Sequence, residues 1–280
     1  LNNIYSSSID LPASEYEILH LHGSWSRELS EESMIVPSGR FVIESNRGSS
    51  SAAHFPFIAV CEEQCNEIHG NIYSSSLIYS GNHSISVEKG EFNDVRLLTG
   101  INSFNFNWSL NPGDNFQTPE AVHVYSKNGL RGMSNIWHSF IRDKITPKNF
   151  NIKPRPTYLN TWESSYFDID HQKVLKLADK ALSIGLEMIV LDDGWFDRRI
   201  DDSSSLGDWY ADAKRFPDGI QDLAIQIKRK GLKFGIWIEP EMISTKSELF
   251  KKHPDWVLKA PGRIPSLGRN QLVLDYCNAD

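Results

Sequence analysis

The chain has 280 residues, a formal net charge of −7 and 40% hydrophobic residues, enough for one large or two ordinary domains with a sizeable core. The acidic balance excludes a general nucleic-acid or anionic-membrane partner, because phosphate binding needs a basic face. No apolar run approaches the ~20 residues that span a bilayer, and three scattered cysteines (Cys61, Cys65, Cys277) make neither a disulfide framework nor a zinc site. Sparse cysteine suits a reducing compartment, so a cytoplasmic placement is expected. The first residue is Leu1, which leaves open a secretion signal in a longer parent.

Residues 1–145 are rich in Ser, Asn and Gly between short alternating runs. "EYEILHLHGSW", "RFVIESN", "HFPFIAV", "NIYSSSLIYSG", "HSISVEKG", "DVRLLTGI" and "FNFNWSL" each predict a strand bounded by turn residues. So many short strands predict an antiparallel β-sandwich domain over 1–145, incomplete at its start. "PEAVHVYSKNGLRGMSNIWHSFIRDKI" predicts one more strand and a helix leading out. The proline-broken, polar stretch "RDKITPKNFNIKPRP" predicts a surface linker, placed at 146–155.

From residue 156 the pattern changes. "PTYLNTW" predicts a short strand. "DHQKVLKLADKALSIG" predicts a helix, with Val174, Leu175, Ala178, Ala181 and Leu182 on one face and Gly185 at its stop. "LEMIVLDD" is an unbroken apolar run, as a strand buried on both faces should be. "GIQDLAIQIKRKG" predicts a second helix and "LKFGIWIEPE" a third strand. Strand, helix, strand, helix, strand predicts parallel units, a barrel or a doubly wound sheet.

Each of these strands ends in acids and an aromatic: Trp162 and Glu163, then Asp192, Asp193 and Trp195, then Trp237, Glu239 and Glu241. Strand C-termini are where such sheets place their sites. Carboxylates accept hydrogen bonds from sugar hydroxyls, and indole faces cover a sugar's C–H surface, so the pattern points to carbohydrate. The structural alternatives are a helix cap or half a metal site at Asp192 or Asp193, rim packing by the indoles and solvated glutamates. Spacing alone also invites Glu239 and Glu241 as a catalytic pair, since retaining glycosidases hold two carboxylates ~5–5.5 Å apart.

The motifs "NTWESSYFD", "LDDGWFDRR", "SSSLGDWYADAKRFPDGI", "FGIWIEPEMI", "HPDWVL" and "SLGRNQLVLDYCNAD" closely resemble α-galactosidases of glycoside hydrolase family 36. "NRGSSSAAHFPF", "GNIYSSSLIYSGN" and "GINSFNFNWSLNPGDNFQTPEAV" resemble that family's N-terminal β-supersandwich, so the likeness covers nearly the whole chain. It implies a β-supersandwich followed by the first part of a (β/α)8 barrel at 156–280. The implied activity is retaining hydrolysis of terminal α-D-galactosyl residues from melibiose, raffinose-type oligosaccharides and aryl α-galactosides, with no metal or other cofactor. A homo-oligomer, dimer or tetramer, is implied for the full-length protein.

Carried over residue by residue, Asp192 and Asp193 resemble the pair that bonds the galactose O4 and O6 hydroxyls. Trp162 and Trp237 resemble subsite walls, and Arg269 in "SLGRN" resembles an arginine that reaches a sugar hydroxyl. Glu163, Trp195, Glu239 and Glu241 are expected behind them. The family's nucleophile stands in a "KWDMNR"-like motif, which this sequence lacks, and its acid/base lies further on. Both are expected beyond Asp280, and Asp275 precedes the nucleophile segment without matching it. A full barrel takes about 250 residues and eight strands, so a central piece of a longer enzyme, inactive alone, is expected. An α-N-acetylgalactosaminidase, a galactosyl transferase of the raffinose-synthase kind and a non-catalytic galactose-binding protein are the alternatives.

Overall fold

A computed structural model describes residues 1–51 and 53–278, so residues 279 and 280, the end of the predicted barrel segment, lie outside the described residues. The chain divides into two compact units, Leu1–Ile152 and Lys153–Asp280.

Among the described residues the first unit carries nine strands: β1 (Tyr5–Leu11), β2 (Tyr16–Ser24), β3 (Arg27–Ile35), β4 (Gly39–Glu44), β5 (His54–Glu62), β6 (Ile72–Ile78), β7 (His83–Lys89), β8 (Val95–Ile101) and β9 (Glu120–Ser126). They form two antiparallel sheets, one ordered β1-β8-β7-β4 and the other β3-β2-β5-β6-β9. Alternation along a strand sends successive side chains to opposite faces. Ile18, Ile58 and Val60 therefore pack with Ile43, Ile85, Val87 and Leu97 of the four-stranded sheet. Their neighbours Leu19, Ala59 and Cys61 face the other way, against Met133 and Trp137 of helix α1 (Gly129–Phe140). The buried Trp137 indole is satisfied by donating to Ser74 Oγ at 2.9 Å. The five-stranded sheet is thus covered on both sides, and each fully buried Ile or Leu contributes about 1.5–3 kcal/mol relative to exposure.

Three local expectations differ from what is observed. "FNFNWSL" forms no strand: Phe106 and Trp108 pack on Phe116, and Trp108 exchanges backbone hydrogen bonds with Leu1. Strands β1 and β3 have no counterpart among the strands the sequence predicts, and among the described residues β3 is a sheet edge paired to β2 alone and exposed along almost its whole length. After α1 the helix widens into a π-helical turn at Ile141–Ile145, and the predicted linker 146–155 holds a short helix, α2 (Lys148–Asn151).

The second unit is built on three parallel strands in the order β10 (Tyr158–Asn160), β11 (Met188–Leu191), β12 (Lys233–Ile236). A one-turn helix, α3 (Trp162–Ser165), and the long helix α4 (His171–Ser183) connect the first two strands, and α5 (Gly219–Arg229) precedes the third. Asp170 caps α4 by accepting from Lys173 N at 2.8 Å. Ile189 and Leu191 of β11 point to the helices, packed with Val174, Ala178, Leu223 and Ile227. Beyond β12 come β13 (Met242–Ser244), helix α6 (Glu248–Lys252) and β14 (Gln271–Val273), with β13 and β14 paired antiparallel. Among the described residues no helix is long and apolar enough to cross a membrane.

Candidate active site

At the C-terminal ends of β10, β11 and β12 lies a cavity of about 420 Å³. The three strands run parallel, so their last residues must emerge on the same side. Asp192 and Asp193 follow β11 directly, Trp162 follows β10 and Trp237 follows β12. All four line the cavity, together with Glu239 and Arg269.

The two aspartates are held differently. Asp192, half-buried, accepts from the Asp193 backbone N–H at 2.7 Å and from Asn160 Nδ2 at 2.5 Å. The same Asn160 side chain accepts from Trp162 N at 2.7 Å, so one amide ties a cavity wall to a cavity acid. Asp193 is buried and receives the fork of Arg199, Nε to Oδ1 at 2.9 Å and Nη2 to Oδ2 at 2.7 Å. Gly194 N also donates to Oδ1, at 2.7 Å. Gly194 has φ +97°, and a Cβ there would stand 3.2 Å from Phe167 Cα, which is why the turn behind the acids takes glycine.

The indoles have distinct surroundings. Trp162 packs edge-on against Tyr166 and Phe167, both ring centroids 5.1 Å away, and Phe167 lines the cavity too. Trp237 is fixed by its backbone, which donates to Leu191 O at 2.8 Å and accepts from Trp195 Nε1 at 2.9 Å. Trp195 lies in the core beneath, buried with Phe196, and does not line the cavity. Glu239 pairs with Arg269, whose φ of +48° and that of Asn270, +65°, place the arginine on a left-handed turn before β14.

Glu163 and Glu241 lie outside the cavity lining. Glu163 is exposed and accepts from the Tyr166 hydroxyl at 3.5 Å, and Glu241 is exposed while its carbonyl accepts from Leu274 N. The tempting Glu239–Glu241 pairing is therefore not built: strand alternation would put both on one face, but the chain turns at Pro240–Glu241, so Glu239 lines the cavity and Glu241 stays exposed outside it. Five residues of the site were not singled out from the sequence: Asn160, Phe167, Arg199, Asp202 and Gln271. One signal could have found Arg199, since a buried carboxylate demands a partner and "LDDGWFDRR" offers a cation six residues on. Among the described residues no cluster of three or more His, Cys, Asp or Glu side chains could hold a metal ion.

Carboxylates set between indole faces offer hydroxyl acceptors beside apolar walls, which is the chemistry of a sugar ring. A sandwich unit followed in the chain by a parallel β/α segment with that cavity at its strand ends is the class of fold these observations define. Two family models divide the chain between them, the glycosyl hydrolase family 36 N-terminal domain over residues 1–111 and Melibiase over 115–280. The chain belongs to glycosyl hydrolase family 36, and comprises its N-terminal domain and the start of its melibiase domain. It is 46% identical to alpha-galactosidase AgaA of Geobacillus stearothermophilus, over 98% of this chain and 38% of that protein. It is 44% identical to alpha-galactosidase Mel36A of Lactobacillus acidophilus, with the same two coverages. The crystal structure of an AgaA variant in complex with raffinose superimposes with a TM-score of 0.96 at 44% identity, over 99% of this chain and 39% of that one. Another AgaA variant has been crystallised with stachyose. The chain thus spans about two fifths of the length of these relatives.

Proposed function

We propose that this chain supplies the galactose-reading part of a retaining α-galactosidase. The whole enzyme would hydrolyse terminal non-reducing α-D-galactosyl residues of melibiose, raffinose-type oligosaccharides and aryl α-galactosides. The observation that carries this reading is the adjacency of Asp192 and Asp193 at the end of β11, opening into one cavity with Trp162 and Trp237. The relatives crystallised with raffinose and stachyose support it, since both sugars end in an α-galactosyl unit.

In this reading the galactose ring lies between the indoles, its C–H face against an aromatic wall. Asp192 and Asp193 accept from the O4 and O6 hydroxyls, and Arg269 donates to another hydroxyl. A site built to bond a hydroxyl rejects the epimer that carries it elsewhere, because buried acceptors are left unpaired. These aspartates select the sugar and do not break the glycosidic bond. The nucleophile and the acid/base are supplied by segments outside these residues, and an oligomer of the full-length protein is part of the same proposal.

Two measurements on the purified chain test it. D-galactose is expected to bind in preference to D-glucose, and equal affinity would overturn the role given to the carboxylates. An aryl α-D-galactoside is expected to remain uncleaved, and turnover by the chain alone would overturn the placement of the reacting groups elsewhere.

A further inference from the structure

The two aspartates of "LDDGW" look equivalent in sequence, but their partners make them an unequal pair. An ionised carboxylate has about four acceptor positions. Asp193 has three filled, two at Oδ1 by Gly194 N and Arg199 Nε and one at Oδ2 by Arg199 Nη2. Asp192 has two filled, one at each oxygen, by Asp193 N and Asn160 Nδ2. The charges differ as well. Asp193 is neutralised by a guanidinium in a pair whose side chains are only 4% and 9% exposed, whereas both donors to Asp192 are neutral.

Arg199 is itself immobilised. Its remaining terminal nitrogen, Nη1, donates to Ser204 O at 2.6 Å, and its guanidinium carbon lies 5.4 Å and 5.5 Å from the ring centroids of Phe167 and Phe196. Its own carbonyl accepts from Arg215 Nη1 at 3.1 Å, and the same nitrogen donates to Gly194 O at 2.5 Å. The single loop that carries Asp193 and Arg199 is therefore closed on itself, its Gly194 and Arg199 carbonyls tied to the one Arg215 guanidinium.

We propose that Arg199 is a positioning residue for sugar selection, holding Asp193 as a charge-neutralised acceptor for one hydroxyl while Asp192 keeps its charge and two open positions. The inference rests on the galactose reading above. Asp192 dominates affinity because its charge is shared with no cation, and hydrogen bonds to charged groups are the stronger ones. Asp193 gives direction: a fork-held carboxylate cannot turn to follow a misplaced hydroxyl. A lysine at this position keeps the charge but loses the fork.

The test titrates the 280-residue chain with D-galactose, its C4 epimer D-glucose and its 6-deoxy form D-fucose, read from amide and indole NMR signals. Wild type is expected to prefer galactose over both. Arg199→Lys is expected to lose one preference by on the order of tenfold and keep the other, since Asp192 is still held by Asn160 and the Asp193 N–H. Retention of both preferences in Arg199→Lys, even with a lowered melting temperature, would show a purely structural arginine and overturn the inference. So would the loss of both together. Asp192→Asn, at a half-buried position outside the ion pair, is expected to weaken both preferences whether or not the arginine variant folds. If it leaves both unchanged, the unequal pair is wrong. A wild-type chain with no preference for galactose removes the galactose reading itself, and the inference falls with it.

Discussion

Acid should loosen the sandwich unit through His83. This residue opens β7, is fully buried, and has no hydrogen-bond partner at either ring nitrogen among the described residues. Burial, reinforced by the nearby His54, pushes its imidazole down from 6.5 to about 4. The folded state therefore keeps this ring neutral while the unfolded chain takes up a proton near the ordinary value. Between about pH 4 and 6.5 the unfolded state binds more protons, so stability rises with pH there and is lost as pH falls through that window. The two values imply a loss of about 2 kcal/mol between pH 7 and pH 5, and about 3 kcal/mol by pH 4. Burial lowers His20 and His123 in the same direction, which steepens the slope. Urea unfolding of wild type and His83→Leu at pH 7 and pH 5 isolates the His83 share, because the other groups are common to both. The difference in unfolding free energy should move by about 2 kcal/mol in favour of the variant on going to pH 5. Parallel declines in the two proteins would refute the reasoning.

Other expectations concern single positions. Asp170→Ala removes the side-chain cap of α4 and should lower the stability of the second unit by about 1 kcal/mol in thermal or urea unfolding. Gly194→Ala forces a side chain onto a φ of +97° and against Phe167, so a loss of about 1–3 kcal/mol is expected, with visible shifts of the Asp193 and Phe167 signals. Alkylation of the native chain should modify the exposed Cys277 first. Cys61, buried in β5 and pushed up to about 12 by that burial, should react only after unfolding, as peptide mapping by mass spectrometry would show.

How much of this was legible depended on how local the determining forces are. Helix α4 was readable because its apolar face repeats every three to four residues and Asp170 caps it, both short-range effects. Strand β11 was readable from its unbroken apolar run. "FNFNWSL" misled for the converse reason. It alternates like a strand, but a strand needs a neighbour to pair with, and Phe106 and Trp108 instead both pack on Phe116. Strand β3 has the opposite history: "RELSEESMI" shows no buried face, and its hydrogen bonds come from β2.

The sequence by itself determined the domain grammar, the parallel strands and the acids and indoles that their ends carry, because residue spacing and strand direction suffice to place them. Only the tertiary structure decided which of those side chains share a cavity. It turned Glu239 inward and Glu241 outward, and it sank Trp195 into the core beneath Trp237. It also brought Arg199 back onto Asp193 and set Asn160 between Asp192 and Trp162. Asn160 to Asp192 and Trp195 to Trp237 are bonds between different strand-end loops, 32 and 42 residues apart, with partners chosen by geometry, whereas the Asp193–Arg199 pair is six residues apart and depends on how that one loop folds back.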